Sequence, residues 1–261
     1  MTKDEIVRAV KAERRRTLAL LRTLDPSAFD TPTALPGWRV REIVAHLVTL
    51  DKATVLGANL FVVFASMARI ERWNERQVPK WADRPVPELL IGLDRWGRRL
   101  AGLYRAIPEA LYRVRVPTYL GRAPLGTLMW SRAYDEWVHR QDIRRSLGLA
   151  DEGVDLVPAA EYVLMAIGID ALPRLRGRSG RIVVSLKDLP LSAWRFDLRT
   201  GQSGPAEPGE PADARISVPA PAFVMAAAGR GSFDALLAGG TASVEGDEAA
   251  GREFLRTVRI L

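Results

Sequence analysis

Over most of the first 150 positions, apolar residues recur at intervals of three and four, the period that gathers them on one face of an α-helix. Ile6, Val10, Leu20, Leu21 and Leu24 predict a first helix over residues 2–24, ended by Asp25-Pro26. Val40, Ile43, Val44, Leu47 and Leu50 predict a second, opening at Trp38 or Arg39 and continuing, with a break near Gly57, to about Trp73. Leu89, Leu90, Leu93, Trp96, Leu100, Leu103 and Tyr104 mark the inner face of a third, which starts at Pro87 and ends before Pro108. A fourth runs over 125–147, with Gly148 placed to cap it. Residues 74–86, with two prolines, read as an ordered connector, and 112–124 as irregular chain with one short strand. Four helices of such length predict a bundle.

Beyond Gly148 the pattern changes. Residues 157–169 read as a helix, 181–187 as a strand, and 193–199 as a second strand with Trp194, Phe196 and Leu198 on one face. The Pro-, Gly- and Glu-rich run 201–213 reads as a hairpin loop and 215–218 as a third strand. Short helices are expected at 221–228 and 232–238, around the turn Gly229-Arg230-Gly231. Residues 241–245 return to the sheet before a last helix at 248–258. Strands grouped after a run of helices predict a second, α+β domain, so the chain divides into 1–150 and 151–261.

Composition narrows the chemistry. With 48% apolar and 26% charged residues the chain is of globular type, and it has no cysteine, which removes disulfides, thiolate ligands and an internal thiol nucleophile together. Asp4 and Glu5 near the start argue against a signal peptide, and the most apolar run, 56–68, contains Gly57 and Asn59 and is too short to span a bilayer. A cytoplasmic protein without a membrane partner is the expectation. The net charge of +7 is carried mostly by scattered arginine, with only five lysines, a skew that fits a GC-rich genome at least as well as a nucleic-acid partner, and no nucleic-acid partner is expected. The longest basic run, Arg14-Arg15-Arg16, is read as a solvated helix face, and an acidic small-molecule substrate as the partner the charge would steer.

The candidate chemistry lies in Arg132-Ala-Tyr-Asp-Glu-Trp-Val-His-Arg-Gln-Asp142. Asp135 and His139 are four apart and leave one face of the fourth helix. The chain's second and last histidine, His46, lies in the second helix. Two imidazoles and one carboxylate are a usual ligand set for a divalent cation with an open coordination position. Spacing favours Asp135 as the carboxylate but leaves Glu136 open, because i,i+3 pairs also meet. Asp142 can accept the other N–H of His139 or pair with Arg140 or Arg145.

The stretch Leu35-Pro-Gly-Trp-Arg-Val-Arg-Glu-Ile-Val-Ala-His-Leu47 and the spacing Arg132-x-x-Asp135-x-x-x-His139-x-x-Asp142 resemble the mycothiol-dependent maleylpyruvate isomerase family, with a DinB-like helical domain. Trp73-Asn-Glu75 and Pro87-Glu-Leu-Leu90 also fit. The resemblance implies a four-helix bundle holding a metal, commonly zinc, through His46, Asp135 and His139. Asp135 stands where the family usually has Glu, one methylene longer. Ala212-Asp-Ala-Arg-Ile-Ser-Val218, Gly229-Arg-Gly231 and Val244-Glu-Gly-Asp247 resemble the family's second module, similar to sterol-carrier-protein-2 domains. Arg132 and Arg230 are the candidates for catalytic residues that hold an acidic substrate. The resemblance further implies mycothiol as thiol cosubstrate, an actinobacterial source, and isomerisation or S-transfer. Two other classes stay open: a hydrolase using metal-bound water without a thiol, and a non-catalytic carrier of an apolar ligand.

Overall fold

The computed structural model describes residues 1–58, 67–153, 156–175, 177–191 and 193–260. The chain forms two compact units, Met1–Glu152 and Gly153–Leu261.

The first unit is built on four long helices: α1 (Lys3–Arg22), α2 (Val40–Val55), α4 (Val86–Ala106) and α5 (Leu125–Ser146), with a shorter α3 (Met67–Gln77) between α2 and α4. Thr2 starts α1 with a capping box, its side chain accepting from the Glu5 N–H while Glu5 accepts from the Thr2 N–H. The chain enters α2 through a loop whose ends are tied by the Pro32–Arg39 bridge, and Glu42 accepts from the Arg39 backbone N–H. At its far end α5 closes with Gly148 at φ 70, while Leu149 N–H returns to the Arg144 carbonyl.

The helices pack α1 on α4 and α5, and α2 on α4 and α5. Their core joins Leu18 and Leu21 of α1, Val40, Ile43, Val44, Leu47 and Val48 of α2, Leu89 and Leu93 of α4, and Ile143 of α5. Each such side chain contributes about 1.5–3 kcal/mol by leaving water. α5 is unlike the others, because it is buried on nearly every side and carries Arg132, Glu136, His139, Arg140, Gln141 and Asp142 inside with its apolar residues.

Two expectations change here. Residues 112–124 hold an antiparallel hairpin of two strands, β1 (Arg115–Thr118) and β2 (Gly121–Pro124), preceded by a helical turn at Glu109–Tyr112. Alternation over four residues is too short to announce itself. The continuation of the second helix past Gly57 falls partly on 59–66, outside the described residues; α2 itself ends at Val55.

The second unit opens with α6 (Leu156–Asp170) and builds a five-stranded sheet in the order β5-β4-β3-β6-β7. Its strands are β3 (Arg181–Lys187), β4 (Trp194–Asp197), β5 (Gln202–Pro205), β6 (Ala214–Pro219) and β7 (Ser243–Gly246). Among the described residues only the β3–β6 pair is parallel. β5 is a strand inside the run expected to be loop: its composition is that of a turn, and its antiparallel pairing with β4 overrides the local preference. Helices α7 (Ala220–Ala227), α8 (Phe233–Ala238) and α9 (Glu248–Thr257) complete the unit, with Phe196, Phe223 and Phe254 fully buried. No helix among the described residues is long and apolar enough to cross a membrane.

Candidate metal centre

α2 presents His46 two turns from its start, and α5 presents Asp135 and His139 one turn apart. The two imidazoles meet edge to face, with ring centroids 5.0 Å apart. Trp38, the residue before the α2 cap, lies against both, 5.3 Å from the His46 ring and 6.2 Å from that of His139.

The outward nitrogens are already engaged. His46 Nδ1 lies 3.1 Å from Asn74 Oδ1 on α3, and His139 Nδ1 lies 3.0 Å from Asp142 Oδ2 on α5. Both partner atoms are acceptors, so in the neutral rings each Nδ1 carries the proton and each Nε2 keeps a lone pair. Those lone pairs face one carboxylate: His46 Nε2 is 3.5 Å from Asp135 Oδ2, and His139 Nε2 is 3.5 Å from Asp135 Oδ1. The ligand atoms of the three residues all lie within 4.8 Å of one another.

This arrangement decides whether the residues fit a cation. Lone pairs and a carboxylate are all acceptors and cannot satisfy each other, and His46 Nε2 is buried without a hydrogen-bond partner. An unpaired acceptor inside a protein costs about 1–3 kcal/mol. A cation shared by the three groups removes that cost, and the Nδ1 partners fix ring orientation as ligand imidazoles require. The residues fit the metal.

The electrostatics run the same way. Burial is the largest influence on His46 and lowers its pKa, against the pull of Asp135, so the ring favours the neutral form that a metal needs. Burial pushes Asp135 up, but His139, Arg132 and His46 override it and hold the carboxyl well below the usual carboxylate range. Asp135 is also the open edge of the cluster: its side chain is 29% exposed against 7% and 8% for the two imidazoles.

Glu136 points elsewhere. It accepts from Nε and Nη2 of Arg14, at 2.6 and 2.8 Å. Arg14 also donates to Asp51, at 2.7 Å, and to the Leu93 carbonyl, at 2.6 Å. Its Nη1 occupies the place a Cβ on Gly97 would take, so α4 needs glycine there to admit the guanidinium. The basic run read as a solvated face therefore sends Arg14 into the core, 6% exposed. Helical spacing from Val10 and to Leu18 was the signal for this. Asp51 was not singled out from the sequence, because one polar residue on an apolar helix carries no distinguishing pattern; Asn74 entered only within Trp73-Asn-Glu75, without a role.

Arg132 is buried, with Nε and Nη2 on Asp51 and Nη1 on Asp135. Its guanidinium is thus held by carboxylates of the bundle, Asp51 and Asp135. Arg230 belongs to the second unit, in the turn after α7, where its Nη1 donates to the Ala228 carbonyl at 2.6 Å.

Comparison with known proteins places this geometry in context. The sequence profile described as the mycothiol maleylpyruvate isomerase N-terminal domain matches residues 10–144, just over half the chain. The SCP-2 sterol transfer family matches residues 164–258. A crystal structure of the mycothiol-dependent maleylpyruvate isomerase aligns at 20% identity over 89% of this chain and 91% of that one, with a TM-score of 0.60. A histidine-to-alanine mutant of such an isomerase aligns at 18% identity over 94% and 93%, also at 0.60. At these identities the likeness shows the fold. No curated protein matches.

Proposed function

The chain belongs to the family of the mycothiol maleylpyruvate isomerase N-terminal domain, and from that premise we propose that it is a metal-dependent enzyme using an exogenous low-molecular-weight thiol, mycothiol, on a small acidic substrate. His46, Asp135 and His139 are the proposed ligands. A divalent cation bound there, zinc by preference for two imidazoles and one carboxylate, supplies acidification of the thiol brought to it.

The chain's own residues do the rest. Asn74 and Asp142 hold the imidazoles by their Nδ1–H groups, so that both Nε2 lone pairs stay turned inward. Arg132 holds Asp135 at the open edge and, with His139, keeps it ionised. Trp38 covers the two rings and keeps water from that side. The reaction we favour is reversible addition: the thiolate sulfur bonds to one carbon of an activated cis double bond, the former double bond rotates, and elimination returns both thiol and trans product. With no cysteine in the chain, the thiol comes from outside.

The observation that carries this reading is the buried acceptor-only cluster, with His46 Nε2 unpaired. The test is elemental analysis of the full chain, followed by turnover of a cis-dicarboxylate with and without mycothiol. The reading expects one divalent metal per chain and turnover only with thiol. Thiol-independent hydrolysis would replace it with the metal-bound-water mechanism.

A further inference from the structure

The face of α2 that presents His46 continues beyond it. Thr49, Lys52, Ala53 and Leu56 follow at helical spacing and line one side of a cavity of about 390 Å³. Trp73 and Gln77 of α3 line another side, and Lys80, Trp81 and Arg84 from the segment that follows complete it. Asn74, the partner of His46, is next to Trp73. The cavity therefore begins about one helical turn, roughly 5.4 Å of axis, from the proposed ligand imidazole.

Its charged lining residues are Lys52, Lys80 and Arg84, and among the described residues no carboxylate lines it. The wall is built rather than incidental. The Trp81 ring lies 2.4 Å from where a Cβ on Gly92 would stand, so glycine is what lets the indole lie against α4. Arg84 stacks on that indole at 4.3 Å. The Lys52 ammonium is held between two indoles, 5.8 Å from Trp81 and 5.9 Å from Trp96. Lys80 donates to Gln77, and Arg84 reaches Glu88 at the exposed rim. For Lys52 the described residues supply indole faces and no carboxylate. Among the described residues, an ammonium between two indoles in a cavity that also holds Lys80 and Arg84 has no carboxylate to balance it.

We propose that this cavity is an anion subsite in which Lys52, with Lys80 and Arg84, takes the carboxylate of a small organic acid, while Ala53, Leu56 and Trp73 cover its carbon skeleton. That the acid is the enzyme's substrate rests on the metal and thiol reading above; that the cavity binds a carboxylate does not.

The test uses the full chain, zinc-loaded and chelator-treated, titrated with maleate and separately with inorganic phosphate, and followed by calorimetry and tryptophan emission. Maleate should bind in both metal states, and more tightly than phosphate. Lys52→Met should weaken it by about tenfold or more, whereas Lys52→Arg keeps most of the affinity and Lys11→Met, on the exposed face of α1, changes nothing. Thermal melts separate a lost site from a lost fold, and exposed Lys80→Gln gives an independent reading should Lys52→Met fail to fold. Wild-type affinity in a folded Lys52→Met chain would overturn the proposal. So would maleate binding that disappears on chelation, since the anion would then sit on the metal. Phosphate binding as tight as maleate would overturn the carboxylate assignment. Metal-independent maleate binding without thiol-dependent turnover would uphold the subsite and refute the catalytic reading.

Discussion

Two polar clusters are buried side by side in the helical unit, and they differ in how their charges close. In one, Asp51 and Glu136 accept from Arg14 and Arg132, and opposite charges meet at 2.6–2.8 Å. In the other, two imidazoles and Asp135 turn acceptors toward each other across 3.5 Å. The first cluster ties α1, α2 and α5 together and asks for nothing further. The second leaves His46 Nε2 without a hydrogen-bond partner, and on the proposed reading a cation completes it. Arg132 belongs to both, one guanidinium edge in each. Burial alone does not mark a functional group; burial with complementary partners marks support, and burial without them marks a site.

The sharpest way to break the contrast is to open the closed cluster. Asp51→Ala leaves two buried guanidinium groups short of a partner and should lower the unfolding free energy by about 3–5 kcal/mol, measured by urea denaturation. A loss under 1 kcal/mol would mean the network is not what holds these helices. His46→Ala should behave the opposite way: the metal content falls from one per chain toward zero, while the urea midpoint of the chelated protein shifts much less than for Asp51→Ala. Unchanged metal in that variant ends the ligand assignment.

Asn74→Leu and Asp142→Asn sharpen the contrast by removing only the support behind each imidazole. Metal affinity should fall by about 10–100-fold in a chelator competition, with the fold kept. Equal affinity would show that ring orientation is set by packing alone.

A pH-dependent effect concerns a third buried pair, Glu13 with Arg140. Burial raises the Glu13 pKa from 4.5 to about 7, against the opposing pull of Arg140. The folded chain then binds the Glu13 proton more tightly than the unfolded chain does. The stabilisation this provides is present below about pH 4.5 and is lost as pH rises through about 7. Wild type should therefore lose stability relative to Glu13→Gln across that window in parallel denaturation series, and a flat difference would contradict the shift.

Much of this was legible in the sequence, for reasons that differ by element. α1, α2, α4 and α5 repeat apolar residues at helical spacing, so their existence follows from the pattern. β3 and β6 are short apolar runs bounded by turn residues and read equally well. β5 did not, and only one strand was expected where β1 and β2 form a hairpin, because four residues with Gly and Pro among them take their structure from the neighbouring strand. His46, Asp135 and His139 stood out because two histidines in 261 residues draw attention and one has a carboxylate a turn away. The roles of Arg14, Asp51 and Asn74 did not. Each gets its role from residues 28 to 122 positions distant, which only the packing of helices brings together.

Trp38 gives the molecule a built-in optical gauge. Because the indole touches both imidazoles and also precedes the first turn of α2, its emission should respond both to an ion bound at the proposed ligands and to unwinding of the loop that starts that helix. Titrating zinc into a chain whose other tryptophans are replaced by phenylalanine would read the two processes from one chromophore.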